Sequence, residues 1–398
     1  MIEPIRLGVS LPQSGRDARG AWASHYNAYR LWVDETNRRG GLLERRVDLV
    51  VYDDGSIPSR SVENYEKLIS EEQVDLLFAP ARSRTIEQVA PICERERRLL
   101  LVGHGSAHAM FQQGRKYLFL GWPGTDFDVP RSFFEWAARL PGGHSPRRLA
   151  LLRPYDPRPS YTEDPYHGIN QHNTGIVLGT RHYAREFGVE VVYDEDYTDT
   201  GFDALFERVQ AARPDVVLVA NYALQQGDQQ LALFIDAFGK AGIDNAFLWL
   251  YRIPTADGAG AGAGNRDADP RMVRHGVDPV FEGAFTYDQW DARSPNPMAR
   301  AFVDAFVERN DYVPDSISAG VYVCCQLVQQ AVEGTGTCDN EELRTYLLNN
   351  PFETVMGTYR FQENGVPQAR MLLLQCIDGE LQVVHPEEER TAQASLPL

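Results

Sequence analysis

Apolar and polar residues alternate between two periods along this chain. IRLGVSLP at the start is a short, nearly continuous apolar run closed by a Pro and Gly loop, which predicts a strand buried on both faces. From Ala21 to Asn37, Trp22, Tyr26, Tyr29, Trp32 and Val33 recur at spacings of three and four, so one helix face is apolar. RVDLVVYDD, VDLLFAP and LLLVGHG then read as strands, separated by the helical stretches SRSVENYEKLISEE and TIEQVAPICERE. Strand and helix alternate without a hairpin signal, so the sheet is expected to be parallel and doubly wound.

After a break at GWPGTD the pattern restarts. RRLALLRPYD, VEVVYDEDY, PDVVLVANY and NAFLWLY read as strands, with helices predicted over Gly175 to Phe187, Phe202 to Ala212 and Gln229 to Gly239. GAFTYDQW adds a strand, Pro297 to Asn310 and Ala319 to Gly334 add helices, and the tail reads as antiparallel strands turning at Asn364-Gly365 and Asp378-Gly379. GAGAGAG at Gly258 to Gly264 reads as a flexible loop. The fold class expected is α/β, with two doubly wound parallel-sheet lobes and a ligand cleft between them. Both lobes are discontinuous, residues 1–121 with about 287–350 and residues 122–286 with about 351–398. Hinge crossings are expected near Trp122 to Thr125, near Phe285 to Asp288, and at an unplaced third point between Thr335 and Leu372. In such sheets ligands bind beyond the carboxyl ends of the strands.

Composition narrows the partners. The chain has 398 residues, 39 basic against 56 acidic side chains and a formal charge of −17. That acidity disfavours phosphate backbones and anionic lipid. The apolar runs fall far short of the roughly 18 residues a membrane span needs. The five cysteines, Cys93, Cys324, Cys325, Cys338 and Cys376, show no metal-ligand spacing and leave the redox compartment open. The N-terminus enters a strand almost at once, so the protein is cytosolic or its signal peptide has been removed.

Several stretches, in order, resemble one family. IRLGVSLPQSG, VDETNRRGGLLERRVDLVVYDDGSIP, VDLLFAPARSRTIEQVAPICERERRLLLVGHGSA, FDALFERVQAARPDVVLVANY and GTYRFQENG are similar to segments of the type I periplasmic binding proteins, in the branched-chain amino-acid branch that serves ABC transporters. The resemblance implies a periplasmic, monomeric binding protein that closes on a small ligand and delivers it to ABC transporter permease subunits, with no cofactor, metal or nucleic acid. It implies that Ser83, in the loop before TIEQVAP, and Gly105 and Ser106, after LLLVGHG, hold the ligand's carboxylate or polar head. Helix N-termini favour such anions independently of any family. Trp22 falls within one position of an aromatic the family sets over the ligand, with core packing as the competing role. Tyr161 or Tyr166, and Tyr222, correspond to aromatics of the second lobe. Where the family carries an acidic residue that pairs with the ligand's ammonium, this chain has Tyr251 followed by Arg252. A buried ammonium without a carboxylate is costly, so a small organic acid, an aromatic carboxylate or an amide fits better than a standard α-amino acid. A cytosolic amide-sensor-like regulator and a receptor-like ectodomain share the fold and are the rival readings.

Enzymatic readings are weaker. Ser106 lies between His104 and His108, but GHGSAHAM lacks the second glycine of a nucleophile elbow. His104 with His108, and His167 with His172, are possible metal pairs without a carboxylate signature. Asp53 and Asp54 are expected to end a strand and cap the following turn.

Overall fold

The computed structural model describes residues 3–141, 143–154, 168–197, 201–220, 228–243, 246–251, 253 and 276–396. In chain order the elements begin with β1 (Ile5–Leu11), α1 (Ala18–Ala21), a π-helical turn (Trp22–Tyr26) and α2 (Asn27–Arg38). β2 (Val47–Asp53), α3 (Pro58–Ser70), β3 (Leu76–Phe78), α4 (Ser83–Arg95), β4 (Leu100–Val102), β5 (Leu118–Leu120) and α5 (Arg131–Ala137) follow. The second set is β6 (Arg148–Pro154), α6 (Gly168–Glu186), β7 (Glu190–Tyr197), α7 (Phe202–Ala212), β8 (Val216–Val219), α8 (Asp228–Lys240), β9 (Phe247–Leu250) and β10 (Phe285–Asp288). The chain closes with α9 (Pro297–Asn310), α10 (Ser316–Thr335), α11 (Asn340–Asn349), β11 (Phe352–Thr354), β12 (Gly357–Tyr359), β13 (Leu372–Ile377) and β14 (Glu380–His385).

Two compact units result, and the chain passes between them after Thr125, after Asp288 and after Arg370. The first unit carries a parallel sheet in the order β2-β1-β3-β4-β5. Its apolar core gathers Leu7 and Val9 of β1, Tyr29 and Trp32 of α2 and Val323, Cys324 and Cys325 of α10. The second unit carries seven strands in the order β14-β13-β10-β9-β8-β6-β7. β6 to β10 run parallel, and β13 and β14 add antiparallel strands at one edge. Here the apolar residues sort onto two faces: Leu149, Leu151, Val216 and Leu218 enter one core, and Ala150, Leu152, Val217 and Val219 the other. A strand with both faces covered has no polar alternation, which is why these segments read as continuous apolar runs.

Residues 351–370, expected in the second lobe, lie in the first unit. The Asn364-Gly365 turn explains why. Gly365 has φ +76°, a Cβ there would sit 1.9 Å from the Leu118 carbonyl oxygen, and the Leu120 N–H donates to Gly365 O at 2.8 Å. The turn is thus hydrogen-bonded to β5 and holds its hairpin on the first sheet. The Asp378-Gly379 turn joins β13 to β14, with both residues at positive φ as such a tight hairpin requires. The other departure is local. The helix read over Ala21 to Asn37 contains the π turn, in which the Asn27 N–H donates to Trp22 O, five residues back. One extra residue rotates the preceding turn out of phase with the rest of the stripe. Tyr29, Trp32 and Val33 are therefore buried, while Trp22 is 40% exposed.

Candidate functional site

In the first unit the strand ends converge on the N-terminus of α4. Arg82 precedes that helix at φ +93° and ψ 139°, and its own side chain does not cap it. The first N–H groups of a helix have no intrahelical acceptor, so this end offers donors and the positive end of the helix dipole. Ser83 opens the helix and is buried, and its Oγ accepts from the Ala107 N–H at 3.4 Å across to the loop after β4. It is not acting as an ordinary cap. Gly105 makes that approach possible: it has φ +137°, and a Cβ there would meet Ser83 N at 3.0 Å, Ser83 Oγ at 3.2 Å and Ile86 Cδ1 at 2.8 Å. Ser106, also buried, follows directly. The structure therefore brings Ser83, Gly105 and Ser106 together.

Around this loop pair lies a polar cluster that the sequence reading did not select. Arg82 Nη2 pairs with the buried carboxylate of Asp17 at 2.6 Å. His25, in the π turn, is 3% exposed, and its ring lies 5.2 Å from that of His104, which in turn lies 5.3 Å from Trp122. Burial pulls the His25 imidazole down to about 4, with Asp315 opposing the shift and the Arg82 charge adding to it. It is neutral at physiological pH. One signal was available: His25 stands four residues before Tyr29 and seven before Trp32, a polar side chain on an apolar stripe. Asp17 and Arg82 carried no such signal, because isolated charges in strand-end loops are usually solvated.

The other selected residues fall elsewhere. Trp22 stacks on Tyr26 at a centroid distance of 3.7 Å and is not core. Tyr251 is buried in the second unit; its N–H donates to Val219 O at 3.0 Å and its ring lies 5.1 Å from that of Tyr287. The position after β9 thus places an aromatic ring where a carboxylate was at issue. Tyr161, Tyr166, Tyr222 and Arg252, with His167, lie outside the described residues.

The remaining chemistry is structural. His108 Nδ1 lies 3.1 Å from Thr125 Oγ1, and His172 Nδ1 lies 2.5 Å from the buried Asp126 carboxylate. No cluster of three potential metal ligands occurs among the described residues. Asp53 accepts from the Gln13, Ser14 and Gly55 N–H groups and from the Ser14 hydroxyl. Those bonds outweigh its partial burial and lower its pKa. Asp54 accepts from the Ser56 N–H and the Ser61 hydroxyl, while burial raises its own. The pair therefore ties the loops after β1 and β2. Asp53→Ala is expected to lower stability by about 1–3 kcal/mol, measured by urea denaturation.

Two open sheets of mainly parallel strands, each with helices packed on it, are the architecture of the bilobal binding proteins. The chain belongs to the periplasmic binding protein family, whose model matches residues 4–380. It is 22% identical over 369 residues to the leucine-, isoleucine-, valine-, threonine- and alanine-binding protein of Pseudomonas aeruginosa, covering 91% of this chain and 87% of the relative. Among solved structures it resembles an ABC transporter substrate-binding protein from Desulfitobacterium hafniense in complex with Leu, at TM-score 0.71, 19% identity and coverage of 96% and 100%. It also resembles a solute-binding protein of an ABC transporter from Rhodopseudomonas palustris BisB5 in complex with 3,4-dihydroxybenzoic acid, at TM-score 0.65, 17% identity and 95% coverage of each chain. The family and these relatives are binding proteins rather than enzymes. No helix among the described residues is long and apolar enough to cross a membrane.

Proposed function

We propose that this protein captures a small carboxylate-bearing solute outside the cytoplasm and delivers it, as a monomer, to the permease subunits of an ABC importer. The observation that carries the reading is the N-terminus of α4, where the buried Ser83 meets Gly105 and Ser106. An anion placed there gains several N–H and hydroxyl donors and the helix dipole. By the resemblance to the family, Tyr161 or Tyr166, Tyr222, Tyr251 and Arg252 are the contacts proposed from the second lobe. Closure follows because a ligand that bridges both units binds the closed form more tightly, and that differential affinity raises the closed population. No bond is made or broken.

Tyr251 shapes the choice of ligand. With an aromatic ring rather than a carboxylate after β9, an aromatic or aliphatic acid lacking an ammonium is the better fit. The relative bound to 3,4-dihydroxybenzoic acid is in keeping with this class. A thermal-shift screen over aromatic acids, amides, branched-chain amino acids and dicarboxylates tests it. A ligand at a hundred times its Kd adds about 2.7 kcal/mol by mass action and raises Tm visibly. Ser83→Ala should weaken that ligand about tenfold in a titration, as expected for one lost charge-assisted hydrogen bond. If no compound shifts Tm, the function is wrong; if leucine or valine alone does so, the Tyr251 argument is wrong.

A further inference from the structure

Among the described residues neither ring nitrogen of His25 has a hydrogen-bond partner, although the side chain is 3% exposed. A neutral imidazole carries one donor and one acceptor, and buried polar atoms are seldom left unpaired. The location is specific. The π turn that carries His25 breaks the regular helix, and such turns are frequent at functional positions. Across from it the ring approaches His104, one residue before Gly105, and it stands close enough to Arg82, the residue before Ser83, to feel that guanidinium. The same ring is thus adjacent to both loops assigned to the ligand's head group.

We propose that His25 is a specificity residue, whose uncharged imidazole recognises a hydroxyl or carboxamide substituent of the bound solute beside the carboxylate held at Ser83. The inference rests on the ligand-binding function proposed above. Its chemistry follows from the surroundings. The charges of Asp315 and Arg82 act on the ring in opposite directions, and a neutral imidazole offers an ammonium no formal charge to pair with. A hydroxyl or carboxamide can give or take a hydrogen bond, and the imidazole can present either a donor or an acceptor by choice of tautomer. Sites built to hydrogen-bond a polar substituent discriminate strongly against the analogue that lacks it, because the site's own polar atom is then left unpaired.

Isothermal titration calorimetry on the full chain tests this with two probe pairs that differ by hydroxyl groups: 3,4-dihydroxybenzoate against benzoate, and threonine against valine. For the pair that binds, the unsubstituted protein is expected to favour the hydroxylated member by about tenfold or more. His25→Phe keeps the aromatic volume and should lose that preference. His25→Asn, which restores a donor and an acceptor, should recover part of it. In the unsubstituted protein the imidazole ¹⁵N resonances of His25 should also move when the hydroxylated probe is added, a readout that needs no variant. A preference that survives His25→Phe, or ring resonances that stay in place while the probe binds, overturns the inference and leaves the binding function standing. Failure of both pairs to bind overturns the inference, and the thermal-shift screen decides the binding function separately.

Discussion

Gly105→Ala is expected to cost about 2–4 kcal/mol of stability and to weaken ligand binding at least a hundredfold. The backbone at Gly105 has φ +137°, a region that L side chains rarely adopt, and holding a residue there costs about 1–3 kcal/mol. The added methyl would also press on Ser83 N at 3.0 Å and Ser83 Oγ at 3.2 Å. Ile86 Cδ1, at 2.8 Å, belongs to a side chain that can move, but the α4 backbone cannot. Relief therefore comes from separating the loop after β4 from the start of α4, and that separation disperses the donors around Ser83. Urea denaturation reads the first effect and calorimetric titration the second. Wild-type affinity in a folded Gly105→Ala protein would show that these two loops do not form the anion site.

The second large effect is on acid stability. His25 is neutral when folded, with its pKa drawn down to about 4 from the ordinary value of 6.5 by burial, against Asp315 and with Arg82. In the unfolded chain it takes up a proton as pH falls through 6.5. The unfolded state then binds more protons than the native state, so stability falls with falling pH. It is undiminished by this residue above pH 6.5 and is reduced by up to about 3 kcal/mol on reaching pH 4. His25→Phe should remove that portion of the loss, leaving only the contribution of the remaining groups. Denaturation curves at pH 7, 5.5 and 4 for the two proteins give the difference directly. Parallel curves would show that His25 is protonated in the native state.

Much of the fold was legible because buried parallel strands and amphipathic helices write different periods. VDLLFAP and PDVVLVANY contain β3 and β8, and the helix read over Phe202 to Ala212 is α7. What escaped has physical causes. β5 is three residues long and gains its partners from β4 and from the Gly365 turn, neither of which is local. The π turn differs from an α-helix by one residue in the hydrogen-bond ladder, too little to alter an apolar stripe over the seventeen positions from Ala21 to Asn37. It is nonetheless what separates the exposed Trp22 from the buried Tyr29. Of the residues proposed for the site, Ser83, Gly105 and Ser106 were accessible through position after a strand and resemblance to the family. Asp17 and Arg82 were not, since their pairing depends on two loops 65 residues apart in the chain meeting beyond the carboxyl ends of β1 and β3.

Small-angle X-ray scattering of the full chain, with and without the compound that gives the largest thermal shift, tests the central claim most directly. The account predicts a smaller radius of gyration with saturating ligand, and the same compound leaving the Gly105→Ala protein in its unliganded form. An unchanged radius under conditions where calorimetry shows the site full would contradict capture by closure of the two units.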